Sequence, residues 1–376
     1  MKPQTEGTLC ACIFALALLT LVATAQGTAP KTSGKTLSAV GKGQYSLPDF
    51  SFARTKNGHK WLLWYRFKSP SGDWHEVSCG IDAANSHAMD AAFGYQESEA
   101  TAWLSKAQEK ILNERMARAG MLSYGKAVTS PQGRIEWQIG PGELPSSLDV
   151  ESAHREEFAF YAWLNAHPEV LQEAHATAET TFFAQKGFRE QKPIGWIPDY
   201  AKLADASADL LRQCREQIQD ATKGSPELLM DFFQSMQFGE VPDQDPATGK
   251  ITGGFMIPAA VMILGEGDCD SKAVAFCVFQ RDATRHLILF RSFGGGKDLR
   301  HALVGVEAWG ETRESAQSAQ ATVSLVEGVY EKPVQIGNLY YLPCEVAGGK
   351  GRALYGQVSI NHGGSYVAID MSRARS

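Results

Sequence analysis

The sequence predicts an α+β protein, and three observations carry that expectation. Strand-like runs gather near residues 45–139 and again after residue 286. Helical periodicity fills most of the stretch between them, up to about Arg281. The second set of strands follows a helix that opens on a glycine- and acid-rich turn. Segregated strands and helices of this kind pack a helix on an antiparallel sheet rather than building a parallel one.

With 376 residues, about two domains are expected, with room for a sizeable core. Hydrophobic content of 44% and charged content of 21% fit a globular chain. The net charge of -6 and the lack of any basic run give no reason to expect nucleic acid as a partner.

Residues 1–25 read as a secretory signal peptide. Met1 to Thr8 is short and polar, Leu9 to Ala23 is nearly all apolar, and Ala23-Thr24-Ala25 supplies small residues before Gln26. Cleavage near Ala25 would put the mature chain in the periplasm or outside the cell. An uncleaved N-terminal anchor is the rival reading, though the apolar run falls short of a span of about 20 residues. No later stretch is long enough to cross a membrane, so no stable insertion is expected once the signal is removed. Removal leaves Cys79, Cys214, Cys269, Cys277 and Cys344, an odd number with at least one free thiol. Cys269 and Cys277 share one helix about 12 Å apart and cannot bridge. Cys79–Cys214 and Cys277–Cys344 remain open, as does a set of buried reduced thiols.

Residues 26–44, rich in Thr, Ser, Gly and Lys, read as a linker. A small α+β domain is expected over 45–142. Asn57-Gly58 signals a hairpin leading into the strand Lys60–Phe67, and Trp74–Cys79 forms a third strand. Glu97–Ala119 is amphipathic, and two strands flank the Pro131-Gln132-Gly133 turn. Trp61, Trp64 and Trp74 suit hairpin packing or a binding face. His59, His75 and His87 have no metal-ligand spacing. A helical connector is expected over 143–194, with helices at Ser152–Ala166 and from Pro168 to about Lys186.

Residues 195–376 form the third expected unit. Asp199 to Ala221 reads as one long amphipathic helix. Ser225-Pro226-Glu227 starts another, with Ser as N-cap and Pro at the first position. Asp243, Asp245 and Gly249 lack the spacing and closing Glu of a calcium loop, and Gly294-Gly295-Gly296-Lys297 lacks that of a phosphate loop. No metal and no cofactor are expected. Strands follow at His286–Arg291, His301–Glu307, Leu339–Val346 and Ser365–Asp370, with a polar excursion at 310–322.

The chemistry gathers at Gly265-Glu266-Gly267-Asp268-Cys269-Asp270-Ser271-Lys272-Ala273. Asp268 is a plausible N-cap, which puts Cys269 in a first helical turn. The helix dipole there favours a thiolate and lowers its pKa. Asp268 and Asp270 pull the other way, so a histidine partner is needed. His301 supplies the imidazole, and an acid on a later strand would hold its tautomer. A backbone N–H at the helix start could stabilise an oxyanion.

Gly-Asp-Cys-Asp-x-Lys-Ala resembles the transglutaminase-like superfamily, in its bacterial transglutaminase-like cysteine peptidase and transglutaminase-core branches. Phe233-Gln234-Ser235-Met236-Gln237-Phe238, Ile257-Pro258, His301-Ala302-Leu303-Val304 and Tyr340-Tyr341-Leu342-Pro343-Cys344-Glu345 are similar to further segments of that family. The resemblance covers roughly residues 195–376. It implies a papain-like transglutaminase core with Cys269 as nucleophile, His301 as general base, Glu345 as orienting acid and Gln234 as an oxyanion donor. Asp370 is the alternative acid. The implied activity is acyl transfer through a Cys269 thioester on protein or peptide amides, with cell-envelope proteins among the candidates. Hydrolysis, as a peptidase or amidase, is favoured over a crosslinking transamidase. A catalytically silent binding or scaffold member is the reading from another class.

Overall fold

A computed structural model describes residues 43–371, except 122–124, 131–132, 140–149, 193, 282–285, 294–297, 308–328, 331–332, 337, 349–352, 354–356 and 359–364. The signal peptide, nearly all of the linker, the Gly294–Lys297 turn and the excursion at 310–322 lie outside the described residues. The protein is α+β, with antiparallel sheets as its main strand assemblies.

In chain order come β1 (Gln44–Leu47), β2 (Phe50–Asn57), β3 (Lys60–Lys68), β4 (Trp74–Asp82) and α1 (Ala83–Ala92). Next are α2 (Glu97–Arg118), β5 (Gly125–Thr129), β6 (Ile135–Ile139), α3 (Val150–Ala166) and α4 (Pro168–Gln185). There follow β7 (Phe188–Gln191), β8 (Gly195–Pro198), α5 (Tyr200–Leu210), α6 (Arg212–Ala221), α7 (Pro226–Ser235), β9 (Gln237–Phe238), α8 (Pro258–Leu264) and β10 (Glu266–Gly267). The chain ends with α9 (Cys269–Phe279), β11 (His286–Phe293), β12 (Asp298–Glu307), β13 (Val329–Tyr330), β14 (Val334–Ile336), β15 (Leu339–Cys344), β16 (Gln357–Val358) and β17 (Ser365–Asp370). The long helix expected over Asp199–Ala221 is two helices, because Leu211 leaves helical geometry at φ -91°, ψ 2°.

Two compact units result, and their bounds differ from those expected. Residues 97–182 form one; residues 43–96 join 183–371 in the other. The expected domain at 45–142 and connector at 143–194 are therefore redistributed. In the first unit, Leu112, Met116, Ala127, Phe160, Val170 and Ala174 make a core of their own. Asn113 clips β5 in place, accepting from Ala127 N and donating to Ala127 O, each at 2.8 Å.

The reason the first sheet joins the second unit is visible in its inner face. β1 to β4 pair in order, and the β2–β3 hairpin turns at Gly58, as Asn57-Gly58 predicts. Phe50, Phe52, Tyr65 and Phe67 all point to one side and are buried. Four such rings need an apolar cover. Phe232 of α7 supplies it, with ring centroids 5.2 Å from Tyr65 and 5.3 Å from Phe67.

The same face also completes the end of α8, whose last carbonyls have no partner within the helix. Tyr65 Oη donates to Met262 O at 2.7 Å, Arg54 Nη1 to Ile263 O at 3.1 Å, and Tyr45 Oη to Gly265 O. Gly265 closes that helix at φ +67°, and a Cβ there would lie 2.8 Å from the Phe52 ring. Only glycine combines the left-handed turn with so close a ring.

A disulfide joins Cys79 of β4 to Cys214 of α6, while Cys269, Cys277 and Cys344 are reduced. Such a bond fits a non-reducing compartment. No helix among the described residues is long and apolar enough to cross a membrane. The second large sheet runs β14-β15-β12-β11-β17, all antiparallel, and α9 packs against β12 and β11.

Replacing Cys79 and Cys214 together by alanine should lower stability by about 2–4 kcal/mol, because the closed loop is long. Urea denaturation of the variant and the parent reads this directly, as a lower midpoint. An unchanged midpoint would mean that the bond constrains nothing that the packing does not already hold.

Candidate active site

The site begins at the start of α9. Asp268 caps the helix, its Oδ1 accepting from Ser271 N at 3.2 Å, so Cys269 is the first helical residue, as its sequence context predicts. From Asp270 to Phe279 every residue is buried. Apolar on every side, α9 belongs in the interior, where α5, α7, α8 and the large sheet surround it. Its polar first turn is carried inside with it.

His301 lies within β12, opposite Arg291 of β11. The register shifts just beyond this pair: Ser292 faces Leu299, so Arg300 is the extra residue on β12. A bulge beside a functional side chain re-aims it and bends its strand. The backbone of the neighbouring Ala302 lies near enough to the Cys269 thiol to act on it, in the direction that lowers its pKa. Cys269 and the His301–Ala302 step of β12 are thus brought together.

Glu345 follows β15, whose Cys344 sits opposite Val304 of β12. Adjacency of β12 and β15 spans the 44 residues between the histidine and the acid. Glu345 is 1% exposed, and its Oε2 lies 2.7 Å from His301 Nε2. Its Oε1 accepts from Ala347 N at 3.1 Å. A carboxylate only accepts, so Nε2 carries the hydrogen and Nδ1 is left as the basic nitrogen. Asp370, the alternative acid, is opposite Leu287, four residues along β11 from the partner of His301, and is exposed. Glu345 holds the imidazole instead.

Gln234 does not fit the role of oxyanion donor. Its Nε2 donates to Glu345 O at 2.5 Å and to Ala353 O at 3.0 Å, and its Oε1 accepts from Ala353 N at 3.1 Å. An amide has two hydrogens to give, and both are engaged. Gln234 is a clip that fixes the chain on either side of Gly348. That glycine has φ +68°, and a Cβ on it would strike the Gln234 carbonyl oxygen at 2.5 Å.

The electrostatics also depart from expectation. Cys269 is partly accessible at the surface, yet packing around its sulfur pushes the thiol well above its ordinary pKa, and Asp270 and Asp268 add to the shift. The Ala302 backbone opposes them without prevailing. The helix dipole does not yield a lowered thiol pKa here. Asp268 and Asp270 hydrogen-bond to each other, and both are raised, burial being the first cause for each. Two close carboxylates cannot both ionise cheaply, which adds to the rise at Asp270. The Tyr200 hydroxyl donates to Asp270 Oδ2 at 2.9 Å.

Two contributors were not singled out from the sequence. Lys272 lies in the quoted motif, but nothing local says that its side chain is fully buried. Tyr200 lies seventy residues before Asp270 and carries no local signal of its role. The tryptophans at the first sheet are partly covered by cations: Arg54 and Lys56 lie over Trp61, and Arg66 and Lys68 over Trp74. Asp245 folds its own turn through Ala247 N and Thr248 Oγ1. Among the described residues, no group of three or more His, Cys, Asp or Glu is placed to hold a metal ion.

Because burial and two acids hold the thiol protonated, alkylation of Cys269 by iodoacetamide should keep accelerating with pH beyond 9, the ordinary thiol value. A rate already flat near pH 7 would reveal a preformed thiolate. Comparison with family models, with curated proteins and with solved structures finds no match.

Proposed function

We propose that this chain is a cysteine enzyme of the transglutaminase-like type, acting on protein or peptide amide bonds through a thioester at Cys269. The observation that carries the reading is the His301–Glu345 contact of 2.7 Å, on a strand whose next residue, Ala302, lies near the Cys269 thiol. A cysteine at the start of a central helix, against an antiparallel sheet whose adjacent strands bring the histidine and the acid, supports a papain-like core.

The chemistry follows from the geometry. His301 Nδ1 takes the Cys269 proton as the sulfur attacks the amide carbonyl carbon. A thiol pushed upward gives little standing thiolate, so proton removal and attack must occur together. Glu345 steadies the imidazolium through Nε2. The carbonyl oxygen gathers charge opposite the backbone N–H groups at the helix start. The imidazolium then protonates the departing amine, and the C–N bond breaks to leave the thioester. Water, deprotonated by His301, attacks that thioester and releases a carboxylic acid, and the proton returns to sulfur. A lysine amine in place of water would form an isopeptide bond. We favour water as acceptor, in an exported protein whose substrates lie outside the cytoplasm. No cofactor enters any step.

One observation favours a second reading. A thiol raised by burial, and further by two neighbouring acids, is also what a silent binding member of the same fold would carry.

Thiol labelling separates the two. An enzyme requires that iodoacetamide modify Cys269 faster than Cys277 or Cys344, and that His301→Ala slow this labelling. Incubated with candidate envelope proteins, the parent should yield cleaved amides by mass spectrometry. Cys269→Ala should yield none, and His301→Ala should lose about 100-fold or more in turnover. Labelling that ignores the histidine would leave the silent reading standing.

A further inference from the structure

The acyl-transfer chemistry above employs Cys269, His301 and Glu345, yet a fourth ionisable side chain occupies the same first turn of α9. Lys272 follows Cys269 by three residues, and its side chain is fully buried. A lysine is almost never so buried unless its charge is answered.

Its surroundings answer it in two ways. Nζ donates to the Met236 carbonyl and to the Ala347 carbonyl, each at 2.8 Å. Met236 ends α7, two residues after the Gln234 clip. Ala347 is two residues beyond Glu345, and its own N–H donates to Glu345 Oε1. One ammonium therefore ties α9 to both segments that frame the acid. The groups whose charge favours the ammonium are Glu345 first, then Asp268, Cys269 and Glu266. Burial and the neighbouring Asp268 push Asp270 up, and Arg54 also acts on Glu266. The Phe238 ring lies 6.0 Å from Nζ.

We propose that Lys272 is the anchor and counter-charge of Glu345, a positioning residue that fixes the acid which orients His301. The role for His301 rests on the acyl-transfer reading; the coupling of Lys272 to Glu345 does not. Lys272 reaches the acid through Ala347, whose carbonyl takes Nζ and whose N–H holds Glu345 Oε1, so the two side chains share one network and removing both should cost less than the sum of removing each. The pairing is also sensitive to pH. Burial pulls the ammonium down from 10.5 to about 7 against the acids that favour it. The folded protein therefore carries this charge below neutrality and gives it up above.

The test uses the full chain with Lys272→Met, Glu345→Gln and both together, melted at pH 6 and pH 9. At pH 6 the midpoint loss of the double variant should be smaller than the sum of the two single losses, and Lys272→Met should cost less there than at pH 9, because the buried ammonium binds its proton less readily than the unfolded chain does. At pH 9 the two effects should simply add. Additive effects at pH 6 would overturn the proposal. If Lys272→Met alone gives no soluble protein, a soluble double variant supports the pairing and an insoluble one overturns it. Iodoacetamide labelling of Cys269 gives the readout at the site. The double variant should label no more slowly than Glu345→Gln alone, because the lysine acts through the acid; a further loss would overturn that. An unreactive Cys269 in the parent would sink the acyl-transfer reading while the melts still decide the part played by Lys272.

Discussion

The constraint on which the rest depends is the burial of a polar helix start. α9 is enclosed from Asp270 to Phe279, so Asp268, Asp270, Ser271 and Lys272 must find partners inside the protein. Each does. Asp268 Oδ1 accepts from Ser271 N, and Ser271 Oγ accepts from Met256 N. Asp270 takes the Tyr200 hydroxyl, and Lys272 takes two carbonyls. Much of the surrounding architecture is the set of chain segments that those partners come from: α5, the end of α7, the run into α8 and the segment after β15. A single misplaced segment would strand a buried polar group, at a cost of about 1–3 kcal/mol or more where it is charged.

That enclosure also sets the chemistry the sulfur can perform. A thiolate gains from a helix N-terminus only where the dipole outweighs the loss of water and the local charge. Here close packing first, and then the Asp270 and Asp268 carboxyls, push the thiol up. On the proposed acyl-transfer reading, such a site would rely on a base that acts during attack, and His301 offers one whose tautomer Glu345 fixes. The His301–Glu345 contact leaves Nδ1 as the basic nitrogen. The enclosed carboxylate is in turn held through both oxygens and its own carbonyl. Rigid support of this kind keeps a catalytic group in one productive geometry, and loosening it by an ångström is costly.

Local signals in the sequence were legible wherever the deciding physics was local. Asp268 as N-cap, Ser225-Pro226 as a helix start and Asn57-Gly58 as a hairpin each depend on a few neighbouring residues, and each stands in the structure. The strands bearing His301 and Glu345 were also readable, from apolar runs with turn residues between them. What was not readable depended on distant partners. Gln234 looked like a donor awaiting an oxyanion until the Ala353 segment, far along the chain, was seen to use it. Cys79 and Cys214 had a pairing that spacing alone could not choose. The grouping of the first sheet with later segments also depends on distant partners: four aromatic residues on one sheet face announce that a cover is needed but do not say which helix provides it.

That cover gives the first sheet a part in the site without contributing a reacting group. Its tyrosines and Arg54 close the end of α8, and Phe52 packs on Gly265. From Gly265 only three residues remain before Cys269. The turn between the two helices is thus pinned at one side by the sheet. On its other side, β10 pairs with β9, and the Gly239 N–H donates to Gly267 O. Held from both directions, the Glu266-Gly267-Asp268 step has little freedom to swing, and the sulfur that follows inherits that fixity. The aromatic sheet and the helix that Cys269 opens therefore form one mechanical unit. This is why residues 43–96 pack with the candidate catalytic half rather than standing as a domain of their own.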